Sequence, residues 1–420
     1  MAELSVLIVN YNTWRECAAA IASLRRHRPL RADGTPMPFE CIVVDNLSPR
    51  RSDAEIAAVE RELQLLREQQ QDPAAGRLLL HTENGGYSKG MNLAFGHSRG
   101  RWILVSNPDV IFTAGLVDKL LRHLERDAQA GCVVPKGFWD PAFEGRLPPN
   151  TLPTLWDVAM TTLGEFSRRL SVWYARRLAR SWLRVWTAER PLPLPMMSGC
   201  LFLIERGFFE SVGKFDERYP LYYEDTDLSL VIQKTGRKVV QVPDAHFVHL
   251  VNRSGMSDPG VMNARHDISR ALYYRKWYGR LGTWTLAWSR WMLQDPRLAR
   301  WKKVPPHGPL TDLGESVERP VIVLPRRCER FLLTMSMDSR GYLAGAVFGS
   351  GDRWTPSDAM WGNFPCMTFF YEAFDLSGGR FESLGKWRYR SLSHLGVPMP
   401  HAAVPKPAAP ASKAAAGGTP

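Results

Sequence analysis

The sequence predicts an α/β protein: a mainly parallel sheet flanked by helices, followed by a small C-terminal β module. Three observations carry that reading. Through the first half, short β-branched apolar runs alternate with helix-period segments, each run ends in a polar loop, and beyond residue 310 the runs follow one another across Gly- and Asp-rich turns with no helical pattern between them. With 420 residues, 45% of them hydrophobic, the chain can bury a large core and is expected to divide into more than one domain. The expected divisions are 1–275, with a basic helical insert at about 155–190, a basic Trp-rich helical arm at 276–309, the β module at 310–395, and a disordered Pro/Ala tail at 396–420.

Ser5 to Val9 leads through Asn10-Tyr11-Asn12-Thr13 into a helical pattern and reads as strand, loop, helix. Cys41 to Val44 repeats the unit, passing through Asp45-Asn46-Leu47-Ser48 to a helix over about 53–70. A third strand at 78–80 precedes Asn84-Gly85-Gly86-Tyr87-Ser88-Lys89-Gly90, and a fourth at 102–105 runs into Asn107-Pro108-Asp109, a helix over 114–126 and a fifth strand at 132–134. Such sheets bind ligands beyond the carboxyl ends of their strands. Asn10, Asp45, Asn84 and Asp109 all fall there, with Lys89 as a counter-charge for phosphate. Asp45 suits a ribose or base edge, although a turn-capping Asp reads equally well. No G-x-G-x-x-G or P-loop fingerprint is present, which argues against a dinucleotide site and a P-loop. Pro108 stiffens the backbone before Asp109, where a hard divalent cation could bridge a carboxylate to a diphosphate.

Between Leu163 and Trp186, apolar residues recur at helical spacing among six arginines, and Lys276 to Lys303 repeats that composition with five tryptophans. A net charge of +12 implies attraction to something anionic. Two basic, Trp-flanked segments favour an anionic membrane surface over nucleic acid, for which no module is recognisable; a core-packed helix with a solvated Arg face is the plainer reading. The six cysteines form no C-x-x-C pair and read as buried thiols, and no run reaches the length of a membrane span. The expected location is cytoplasmic, peripheral at the inner face of the membrane.

Tyr222-Tyr223-Glu224-Asp225-Thr226-Asp227 places three carboxylates within four positions, an arrangement that costs energy unless a cation or a proton offsets it. The alternative is an acidic helix start facing the helix dipole, with the helix proper at 228–235. A strand at 238–242 precedes His246 and His249, either of which could supply a neutral nitrogen to a cation held by Asp109.

Taken in order, Asn10-Tyr11-Asn12, Val43-Val44-Asp45-Asn46, Asn84-x-Gly86-Tyr87, Asn107-Pro108-Asp109, Ser198-Gly199, Phe215-Asp216-Glu217, Tyr223-Glu224-Asp225-x-Asp227-Leu228 and His249 resemble the inverting family 2 glycosyltransferases of GT-A fold, in particular bacterial rhamnosyltransferases. The resemblance runs over about residues 3–275. It implies a nucleotide-diphosphate sugar donor, with dTDP-rhamnose the first expectation, a divalent cation (Mg or Mn), and transfer to a hydroxyl of a lipid-linked or polysaccharide acceptor in surface-glycan synthesis. Asn10, Asn12, Asp45, Asn84, Gly86, Lys89, Asn107 and Asp109 would line the donor site. Ser198, Gly199, Tyr223 and Glu224 would face the acceptor, Asp225 would be the general base, and Asp109 with His249 would hold the metal. Asn107 stands where the family's first D-x-D carboxylate lies, which weakens the expected metal site. A UDP-hexose donor and a catalytically silent glycan- or membrane-binding protein of the same fold are the rival readings.

Overall fold

The computed structural model describes residues 2–31, 33–249, 259–303, 309–379 and 381–392. The tail expected to be disordered, 396–420, lies outside the described residues.

The first half runs β1 (Leu4–Asn10), α1 (Trp14–Arg26), β2 (Phe39–Asp45), α2 (Asp53–Gln70), β3 (Gly76–Leu80), α3 (Tyr87–Gly96), β4 (Trp102–Ser106), β5 (Val110–Phe112), α4 (Leu116–Arg126) and β6 (Ala130–Phe138). Then follow α5 (Leu155–Gly164), α6 (Arg168–Trp186), β7 (Leu192–Leu194), β8 (Leu201–Glu205), α7 (Arg206–Ser211), α8 (Glu224–Lys234), β9 (Lys238–His249), α9 (Pro259–Gln294) and α10 (Pro296–Ala299). Among the described residues nine strands form one sheet, in the order β3-β2-β1-β4-β8-β6-β9-β5 with β7 beside β9. β3, β2, β1 and β4 run parallel to one another, and β8 enters antiparallel between β4 and β6.

Every residue of β1 and β2 is buried, because helices cover both faces of the sheet. The period of two divides them. Leu4, Val6 and Ile8 face α1, α2 and α4, while Leu7 and Val9 face α3, α7 and α8. β1 lies between β2 and β4, so the chain reverses direction across the sheet there, and the crevice beyond their carboxyl ends is where a ligand fits such a sheet.

Three expected elements differ. The helical pattern read from Leu163 breaks at Ser167, whose hydroxyl accepts from the Leu170 amide and starts α6 anew, so Leu163 and Phe166 belong to the end of α5 and the turn. α8 begins at Glu224 rather than Leu228, and β9 continues from Val242 to His249. α9 bends at Gly279, whose φ of 58° and ψ of −137° are not helical.

The C-terminal strands β10 (Thr311–Ser316), β11 (Ile322–Ser336), β12 (Gly345–Trp354), β13 (Thr368–Asp375) and β14 (Glu382–Ser391), with α11 (Asp358–Trp361) between β12 and β13, form a single sheet. One face packs its own aromatic core under α11, including Tyr371, Trp361 and Trp387. The other is covered by α6, where Leu332 and Phe374 meet Ala179, Trp182 and Trp186. A helix already fills the place of a second sheet. Reciprocal backbone hydrogen bonds between Arg146 and Ala346, at 2.8 and 3.0 Å, join the C-terminal sheet to the α/β part. Cys17, Cys41, Cys132, Cys200 and Cys328 are buried free thiols, and Cys366 is half-buried. No described helix is long and apolar enough to cross a membrane.

Candidate active site

A cavity of 680 Å³ opens beyond the carboxyl ends of β1 and β4. Of the residues singled out in the sequence, Asn84, Asn107, Asp109, Ser198, Gly199, Tyr223, Glu224, Asp225 and His249 line it, and Asn10, Asn12, Asp45, Gly86 and Lys89 do not.

Tyr222 and Tyr223 both have positive φ, 63° and 65°, a conformation that costs non-glycine residues on the order of 1–3 kcal/mol each and is tolerated where the surroundings enforce it. The turn they make swings the first residues of α8 into the cavity. Glu224 and Asp225 therefore sit at a helix N-terminus, as the plainer reading held, and also in a cleft. Asp225 accepts from the Gly199 amide at 2.9 Å through Oδ2 and from the Thr226 amide at 2.7 Å through Oδ1. Glu224 is 6% exposed, and its Oε2 has no hydrogen-bond partner among the described residues. Burial pushes the Glu224 carboxyl well above the usual range, and the neighbouring Asp225 charge adds to this. Asp225 is also raised by burial, while the amides that donate to it oppose the rise. The two amides favour the charged form of Asp225, whereas Glu224 Oε2 has no such donor among the described residues. Asp227 is structural: it accepts from Tyr219, Lys276 and Trp277 at 3.1, 2.7 and 2.7 Å and ties α8 to α9.

Asp109 owes its place to β5, whose Val110 pairs with His249 at the end of β9. Its Oδ1 lies 3.1 Å from His249 Nε2, and it is 3% exposed. His246 instead directs Nε2 to the Pro243 carbonyl and packs on Phe138 and Phe143, away from the cavity. One carboxylate oxygen and one imidazole nitrogen converging at this distance suit a divalent cation that takes its other ligands from substrate and water. No group of three His, Cys, Asp or Glu residues suited to a metal occurs among the described residues. Between the two acidic centres lies Cys200, whose thiol is pushed up to about 12 by burial, with Asp109 and Asp225 adding to the rise.

Asp45 and Asn10 are both 0% exposed. Asn10 donates to Asp45 at 2.9 Å, and Asp45 in turn accepts from the Ser48 hydroxyl and amide, so the carboxylate holds the 46–51 loop. Asn12 accepts from the Arg50 amide at 3.0 Å and braces the same loop. Gly86 has φ 88°, and a Cβ there would lie 2.3 Å from the Pro220 carbonyl oxygen; its glycine answers to a neighbouring backbone. Lys89 points outward, 4.0 Å from Glu83.

The sequence reading did not identify Arg265 and His266 of α9 or Met337 and Leu343 beside the C-terminal sheet, all of which line the cavity. Arg265 donates to Asn84 Oδ1 at 2.8 Å and to its carbonyl at 3.3 Å. The one available signal was a basic pair, Arg265-His266, placed shortly after His249; nothing local marks Met337 or Leu343.

Residues 5–213 match the family described as Glycosyl transferase family 2. Proteins named N-acetylglucosaminyl-diphospho-decaprenol L-rhamnosyltransferase from two strains of Mycobacterium tuberculosis are 32% identical over 200 residues, 46% of this chain and 60% of theirs. The chain thus matches less than two thirds of these curated relatives' length. Among solved structures, GalNAc-T7 with UDP, GalNAc and Mn2+ aligns with a TM-score of 0.42 at 16% identity, over 59% of this chain and 42% of that one. A Pyrobaculum calidifontis mannosyltransferase with GDP-Man and Mn2+ aligns with a TM-score of 0.39 at 16% identity, over 71% and 77%.

Proposed function

Residues 5–213 form a glycosyl transferase family 2 domain, and from that premise we propose that the chain transfers a sugar from a nucleotide-diphosphate donor, L-rhamnose from dTDP-rhamnose in the first instance, to a hydroxyl of a lipid-linked acceptor. The observation that supports this most is one cavity holding an amide-held Asp225 on one wall and the Asp109–His249 pair on another.

Asp225 takes the proton of the acceptor hydroxyl. The hydroxyl oxygen then bonds to the anomeric carbon from the face opposite the diphosphate, the bond to the diphosphate breaks, and the configuration inverts. Burial raises the affinity of Asp225 for that proton, and the Gly199 amide fixes its direction. Glu224, beside Asp225 in the same cavity, is positioned to orient the acceptor. A divalent ion held by Asp109 and His249 would offset charge on the departing diphosphate. Arg265, beside Asn84, adds a fixed positive charge to the donor side.

The same reading places the protein at the inner face of a membrane. On the second half of α9, Leu281, Trp284 and Trp291 are exposed, Trp284 by 71%, with Trp301 beyond them and Arg280, Arg290 and Arg300 close by in the chain. Aromatic rings flanked by arginine suit an anionic lipid interface.

The test is transfer and donor hydrolysis across dTDP-, UDP- and GDP-sugars, with and without added Mg or Mn. Turnover of dTDP-rhamnose is expected. Turnover of other donors alone would remove the rhamnosyl assignment, and no turnover of any donor would remove the enzyme.

A further inference from the structure

A second and larger cavity, 1650 Å³, adjoins the first along the segment 149–154. Thr151 lines both, and the consecutive Pro195 and Met196 line one each, so the two open on either side of one stretch of backbone. The wall formed by α6 carries Arg168, Arg169, Arg176, Arg177 and Arg180, and Lys303 stands with them. The carboxylate in that lining is Asp157, already engaged by Thr154 and the Tyr174 hydroxyl. Arg176 is paired with Glu372 at 2.9 Å. Among the described residues, Arg168, Arg169, Arg177 and Arg180 have no ion pair.

Cations three and four apart on one helix repel, and Arg168 and Arg169 stand at the N-terminal end of α6, where a helix disfavours positive charge. Membrane packing does not account for the arrangement, since the apolar stripe of α6 is spent on the C-terminal sheet. The cleft is also partly apolar. Trp156 and Trp173 are 50% and 49% exposed and line it with Phe166 and Val172. Guanidinium groups beside exposed indoles describe a place for an oxyanion joined to hydrocarbon.

We infer that this arginine cleft binds the diphosphate of a prenyl-linked acceptor, with the prenyl chain lying against Trp156 and Trp173. The inference deepens the glycosyltransferase reading and rests on it for the word acceptor. The donor's diphosphate belongs to the other cavity, with Asn84, Asp109 and Arg265. A sugar carried on the lipid diphosphate would reach past Thr151 towards Asp225.

The experiment measures binding of farnesyl diphosphate, inorganic pyrophosphate and phosphatidylglycerol vesicles to the full chain, with dTDP and UDP present in excess to fill the donor cavity. Farnesyl diphosphate is expected to bind more tightly than pyrophosphate. Arg177→Gln/Arg180→Gln, and separately Arg168→Gln/Arg169→Gln, should weaken it about tenfold or more, with vesicle binding and melting temperature unchanged. Binding that competes with nucleotide, that ignores both double substitutions, or whose loss is confined to vesicles overturns the inference. Donor turnover decides the parent reading separately: diphosphate binding without transfer would sink that reading alone, and transfer without diphosphate binding would sink this one alone.

Discussion

The backbone amide of Gly199 donates to Asp225 Oδ2 at 2.9 Å, and a Cβ on residue 199 would stand 3.2 Å from the Asp225 Cβ. The glycine permits the close approach that aims the carboxylate. Asp225→Asn removes the charge and can accept from only one of the two amides, and should lower transfer by about 10²- to 10⁴-fold while nucleotide affinity holds. Gly199→Ala should lower kcat with little change in donor KM. Initial rates and nucleotide titrations check both, and undiminished turnover in Asp225→Asn removes the base role.

Glu224 binds its proton more tightly folded than unfolded, so its contribution to stability falls as pH rises from the ordinary glutamate range through its raised value. Glu224→Gln, which mimics the protonated form, removes that loss. The melting-temperature advantage of the variant over the parent should widen from pH 5 to pH 8. An advantage that is constant, or absent at both, would show that Glu224 is ionised in the folded protein.

Asp109 and His249 are expected to act as a pair towards a divalent ion. Asp109→Asn and His249→Ala should each raise the concentration of Mn or Mg needed for half-maximal transfer by roughly ten- to a hundredfold, and the double variant should do little more than the worse single one. Activity in chelator equal to that with metal would sever the pair from catalysis.

Much of this arrangement was legible beforehand. α2 spans the expected 53–70, because an apolar period with a Ser52 cap and Glu55 behind it is a local signal. The carboxylates of the cavity announced themselves by their crowding. Asp45 did not reveal that Ser48 and Asn10 turn it inward, since that depends on a loop closing over it. β5 has three residues and exists because β9 offers it a partner. β14 was missed although Lys386, Arg388 and Arg390 alternate with buried Trp387 and Tyr389, the pattern of a half-buried strand that pairs with β10 and β13.

Arg265 reaches Asn84 from α9, a contact of 181 residues' separation. Arg265→Ala should raise donor KM about tenfold, in line with the loss of a hydrogen bond from a charged group, and leave acceptor KM unchanged. An effect confined to acceptor KM would reassign the residue to the other wall.

Exposed indoles at Trp284 and Trp291 should govern attachment to anionic vesicles. Replacing both with Ser is expected to reduce flotation with phosphatidylglycerol liposomes, and salt should reduce it further. Flotation indifferent to salt and to both substitutions would place the contact elsewhere.

Met337 and Leu343 bring the C-terminal sheet into the wall of the cavity that Asp109, Glu224, Asp225 and His249 also line. The outline of the site and its chemistry thus come from separate stretches of the polypeptide. Substitutions at the β11–β12 turn can therefore reshape the cavity while leaving Asp109, Asp225 and His249 in place.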